Sequence, residues 1–82
     1  MAATAHGAVD AELAASYDER GMFACVYCDG PYEHDDHIMP LALGGEHSTA
    51  NLVPAGAECN MSKGAADPYQ WIPRRIAELR HA

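Results

Sequence analysis

With 82 residues and a formal charge of −7, the chain has room for one domain, whose thin core calls for a metal, a crosslink or a partner as a staple. Its three cysteines cannot all pair, and no basic region followed by an apolar run of signal-peptide or membrane length stands at the N-terminus, so the expectation is a cytoplasmic protein with reduced thiols and no membrane span. The negative balance disfavours a nucleic-acid partner if taken alone, but it is uneven: residues 1–59 hold ten acids against Arg20, whereas residues 60–82 hold Lys63, Arg74, Arg75 and Arg80 against Asp67 and Glu78.

Residues 1–9 are small and weakly patterned and read as a flexible tail, leaving 10–82 as the domain. From Asp10 the apolar positions Val9, Leu13 and Tyr17 follow helical spacing until Gly21, which predicts a packing helix over 10–20. Met22 to Cys25 is expected to form a short strand leading into Cys25-Val26-Tyr27-Cys28-Asp29-Gly30, where Gly30 permits a tight reversal that points two thiolates at one ion. After Gly30-Pro31, the run 32–38 has the length of a strand that Pro40 terminates. A loop through Gly44-Gly45 follows, then Asn51-Leu52-Val53 as a returning strand and Ala57 to Lys63 as a brief helix ended by Gly64. Asp67-Pro68 suits the start of a helix, yet a proline at 73 fits only a first turn, so the last helix is expected from near Pro73 to about 81, burying Ile72, Ile76 and Leu79.

The ordered elements Asp36-His37-Ile38-Met39-Pro40-Leu41, Gly44-Gly45, Asn51-Leu52-Val53-Pro54, Cys59-Asn60 and Lys63-Gly64 resemble the HNH endonuclease motif, in the subgroup with a zinc-binding cysteine frame. The resemblance covers roughly residues 22–66, about half the chain, and several elements in order are far more specific than a lone Cys-x-x-Cys. It implies an α+β fold of the ββα-metal (His-Me finger) kind. A short two-stranded hairpin plus a helix would surround a divalent ion, with an N-terminal and a C-terminal helix as flanks.

Phosphodiester hydrolysis needs an activated water, a cation to hold charge on the phosphate, and groups that position the backbone. His37 is the candidate general base, because imidazole exchanges protons near neutral pH. The resemblance makes Asp36 an ion ligand and puts Asn60 at the last motif position, where the family carries His or Asn as the second ligand; two oxygen donors suit Mg2+ or Mn2+. On a straight strand Asp36 and His37 face opposite ways, so the strand must bend or end there for both to serve one phosphate. Asn51 is expected to orient His37 through its amide, and Lys63, three residues after Asn60, to meet a phosphate oxygen. Arg74, Arg75 and Arg80 are the candidate contacts to the nucleic-acid backbone, with Arg74 and Glu78 also readable as a surface pair. His47 would touch substrate or brace its loop, His34 would sit near the ion or the zinc, and Asp35 would tune ion affinity or stay solvated.

The cysteine-frame relatives place a second Cys-x-x-Cys where this chain has Gly56 and Cys59. A structural zinc site is closed by four protein donors, so Cys25, Cys28 and Cys59 lack one. Either His34, His47, Asp29, Glu58, water or a second chain supplies it, or the cysteines pack as small apolar residues without zinc. The resulting reading is a divalent-metal-dependent HNH endonuclease acting on DNA, double-stranded by expectation, with 3′-hydroxyl and 5′-phosphate products. The alternative is a catalytically weak, zinc-stabilised module that binds nucleic acid or protein, such as an accessory of phage packaging or mobile-element machinery.

Overall fold

The protein is described by a computed structural model over residues 11–81. The expected tail at 1–9, with His6 and Val9, lies outside the described residues. Helix α1 covers Ala11–Glu19, and Gly21, at φ 71°, stops it in the left-handed conformation that glycine adopts without cost. Tyr17 is its buried residue. The Arg20 guanidinium donates to the carbonyl oxygens of Leu52 (2.9 Å) and Thr49 (3.2 Å), which latches the end of α1 to the segment that returns into the sheet.

Residues 22–25 are irregular, not the expected strand. Their backbone groups are spent on turns: Met22 N–H goes back to Tyr17 O, Cys25 N–H to Gly30 O, and Asp29 N–H to Cys25 O. Among the described residues no strand pairs with them, and the knuckle closes on itself. Two strands follow, β1 at His34–His37 and β2 at Leu52–Ala55. They pair antiparallel, His34 opposite Ala55 and His37 opposite Leu52. All of β2 is buried, Pro54 included; it stands opposite Asp35, and its carbonyl accepts from Val26 N–H at 3.0 Å.

Helix α2, Ala57–Lys63, starts directly after the sheet and ends at Gly64, as its glycine predicts. Its N-terminal residue, Gly56, has no side chain to cap with. The cap comes from β1's neighbour Glu33, whose carboxylate accepts from Ala57 N–H at 2.8 Å. Helix α3 runs Pro68–Arg80, which corrects the expected start near Pro73. Asp67 caps it by accepting from Tyr69 N–H (2.9 Å), Pro68 takes the first-turn position, and Pro73 sits inside. The first turn is held against the loss of one helical bond by Trp71, 1 % exposed, whose indole N–H donates to Ser62 Oγ at 3.0 Å. The buried face is therefore Pro68 and Trp71. Ile72 packs at the margin of the core, and Ile76 is 43 % exposed, contrary to expectation.

The core is Cys25, Ala55, Cys59 and Trp71, with Tyr27, Ala66 and Ile72 around it. Tyr27 meets Trp71 edge-on at 4.9 Å. The fold is α+β, with the hairpin-then-helix order expected and a helix on each side. Among the described residues no helix is long and apolar enough to cross a membrane.

Candidate active site and cysteine cluster

Alternation along β1 sends Asp36 inward, where it is 6 % exposed, and leaves Asp35 and His37 half-buried on the other face. A buried carboxylate needs partners. Asp36 has two: the Tyr27 hydroxyl donates to Oδ2, and the Lys63 ammonium lies 3.2 Å from Oδ2 and 3.4 Å from Oδ1. Lys63 also donates to His37 O at 2.8 Å. It is 2 % exposed, so it does not present its charge to a phosphate as expected; the ammonium instead ties α2 to the end of β1. The contact with Asp36 and burial, burial foremost, push the Tyr27 hydroxyl far above its ordinary range, so it remains a donor at any working pH.

On the other face, Tyr17 donates to Asp35 Oδ1 at 2.9 Å and Tyr32 donates to the same oxygen. Burial first, then this carboxylate, raises both phenols as well. Asp35 is therefore a tie between α1 and β1 rather than a free solvated residue, and it also lines the cleft beside Asp36.

Because β1 ends at His37, Asp36 and His37 both reach one open cleft of about 280 Å³, to which α2 contributes Asn60 and the following turn Gly64 and Ala65. The three motif residues expected to act together are thus brought together. His37 Nε2 lies 2.8 Å from Nδ1 of His47. Asn51 does not hold the His37 ring, contrary to expectation. Its amide donates to Met39 O (3.0 Å) and Glu46 O (2.8 Å), and its Oδ1 accepts from Met39 N–H (2.9 Å). It clasps the two sides of the 39–51 loop, and that loop carries His47. Gly45 is obligatory in the clasp, since a Cβ there would stand 1.8 Å from Met39 O.

The Sγ atoms of Cys25, Cys28 and Cys59 all lie within 4.8 Å of one another, an arrangement that can hold a metal such as zinc. Burial works to raise the Cys25 thiol, but the N–H groups of Gly56, Tyr27 and Cys28 aimed at its sulfur overrule it, and the net direction is down. Cys59 goes the other way: burial, helped by the Cys28 and Cys25 sulfurs and opposed by the Arg75 guanidinium lying against it, pushes its thiol up to about 11. Of the side chains expected as a fourth donor, none of His34, His47, Asp29 and Glu58 joins the three sulfurs. His47 is on His37, and the Glu58 side chain is 96 % exposed.

Of the basic residues expected at a nucleic-acid surface, Arg74 and Arg80 are exposed. Arg75 is not free for that role: it donates to Glu78 at 3.3 Å, lies 3.9 Å from Glu58 and touches Cys59. Tyr27, the donor to Asp36, was missed altogether. It sits between the two cysteines of a Cys-x-x-Cys, where spacing alone marks it as filler.

A family profile described as HNH endonuclease matches residues 25–70, more than half of the chain. No curated protein and no solved structure matches.

Proposed function

Because the chain belongs to the HNH endonuclease family, we propose that it hydrolyses DNA phosphodiester bonds in the cleft shared by Asp36, His37 and Asn60. The observation that carries this reading is that side chains from β1 and α2, separated by more than twenty residues in sequence, line one open cleft together. A carboxylate and an amide oxygen form a hard donor set, and the Asp36 carboxylate, with about four lone-pair sites, has capacity beyond its bonds to Tyr27 and Lys63. Asp36 and Asn60 would hold Mg2+ or Mn2+, which when bound supplies charge stabilisation at the phosphate and the leaving oxygen.

His37 is the general base. With Nε2 on His47, Nδ1 is the ring nitrogen left to take the proton of the attacking water, provided the shared proton sits on His37 Nε2 and His47 accepts it. Asn51 acts one step removed, by clasping the loop that presents His47. Lys63 holds both Asp36 and the His37 carbonyl, and so fixes the spacing between base and ion ligand. Zinc at the three cysteines is the structural staple that a core this small calls for.

Supercoiled plasmid with purified protein in Mg2+ or Mn2+ tests the reading. Wild type should nick it and lose activity in EDTA, while His37→Ala should fall on the order of a hundredfold or more with an unchanged folded spectrum. Undiminished nicking by the variant would remove His37 from this role. The withdrawal of Lys63 and Arg75 from the surface favours a second reading, a binding module with little catalysis. A wild-type protein that binds DNA or a protein partner but never nicks would select it.

A further inference from the structure

The cysteine cluster differs from a closed zinc site in a way the surroundings make specific. Gly56 borders it: a Cβ built there would lie 3.8 Å from Cys25 Cβ. The position that a fourth cysteine would take contributes only a backbone N–H, which already points at the Cys25 sulfur. The nearest carboxylate to that corner, Glu33, is 3.7 Å from the same built Cβ, but its Oε1 is committed to Ala57 N–H. Cys28 is exposed, so one side of the cluster is open to solution. Arg75 lies against Cys59 with its side chain 15 % exposed, and its buried Nε has no hydrogen-bond partner.

Charge ties these observations together. Three thiolates around a divalent cation leave one net negative charge facing Arg75, whose guanidinium also meets Glu78 and Glu58 at the surface; four thiolates would leave two, one more than that single cation can offset. We infer that Cys25, Cys28 and Cys59 form a three-thiolate centre for a soft divalent ion, zinc above all, in which an exchangeable donor from solution fills the fourth position and Arg75 is the charge partner. The inference rests on the reading that the cluster holds an ion at all. The bound donor is a water or a small thiol, reached from the Cys28 side. The ion is consequently more labile than in a four-cysteine site and responds to the thiol content of its surroundings.

Cobalt reports the donor set directly. The purified full chain, kept reduced with a phosphine, is loaded with Co2+ and its visible and charge-transfer absorption is followed as mercaptoethanol or imidazole is added. A spectrum that shifts with added donor, thiol and imidazole giving different end points, is the expected result. A thiolate-to-cobalt band that no added donor moves would overturn the inference while leaving the metal itself in place, since the protein would then be supplying four donors. Absence of any such band, together with zinc-free protein by native mass spectrometry, would overturn the metal reading first and the inference with it. Two variants sharpen the result. Arg75→Met should weaken Zn2+ about tenfold or more with helix content unchanged, and an unaltered affinity would strip Arg75 of its part. Gly56→Cys should make the cobalt spectrum indifferent to added thiol. Its Cβ meets Pro31 O at 3.2 Å, so if it does not fold, the wild-type titration decides alone.

Discussion

The two ends of the hairpin are furnished unequally. At the His37 end three motif side chains have protein partners: Asp36 has Tyr27 and Lys63, His37 has His47, and Asn51 satisfies three backbone groups. At the Ala55 end three sulfurs converge with N–H groups and one guanidinium around them, and among the described residues no fourth side-chain donor joins them. The β1 and loop side chains of the first end are preorganised by their own chain. The second is complete only with something added. Substitutions at the first end should therefore act through unpaired buried groups, and at the second through ion affinity.

The largest effect is expected at Lys63. Lys63→Met removes the counter-charge of a carboxylate that is 6 % exposed, and leaving a buried charge unpaired costs about 3–5 kcal/mol, a large part of the stability of a domain this size. Thermal and urea melts should show it. Adding Asp36→Asn should recover much of that loss without restoring cleavage, and failure to recover would mean that Lys63 acts mainly by its bond to the His37 carbonyl. Next comes Asn51→Ala, which strands the Met39 and Glu46 backbone groups at a cost of about 1–3 kcal/mol. Plasmid nicking should drop because His47 leaves His37, while the metal content of the cysteines stays the same; a loss of zinc in this variant would erase the contrast between the two ends. The smallest effect is expected from Arg74→Gln with Arg80→Gln. Both residues are exposed, so melting should hardly move. If each meets one phosphate, the slope of log affinity against log salt should fall by about 2 in all, roughly 0.9 per contact. An unchanged slope would bring DNA to another face.

The hairpin and α2 were legible because breakers and local spacing determine them: Pro40, Gly44-Gly45 and Gly64 mark ends within a few residues of what they end. The convergence of Asp36, His37 and Asn60 was legible through the motif. What stayed hidden is nonlocal. The Lys63–Asp36 pair joins residues 27 apart and the Tyr27–Asp36 bond residues 9 apart, and nothing in a linear string distinguishes a lysine that folds inward from one that stays in solvent. The same holds for Arg75, whose place in the string does not show that it turns toward Cys59 and Glu78. Pro73 misled in the opposite direction: its local rule is sound, but the burial of Trp71 on the preceding turn and the Asp67 cap outweigh one missing helical bond.

Cys59 and Asn60 are consecutive residues of α2, turned about 100° from each other around its axis and displaced about 1.5 Å along it. One sulfur faces the cluster and the next side chain lines the cleft. A short helix is stiff on this scale, so whatever seats or releases Cys59 also swings Asn60, as two teeth on one wheel. If the chain cleaves DNA as proposed, chelators have two routes to losing that activity, and inhibition by EDTA alone does not say which ion was taken. The order of departure can: a competitor selective for soft metals should unseat the wheel from its cysteine side while leaving Mg2+ in full supply, and a nuclease assay run under that condition measures how tightly the two sides are geared.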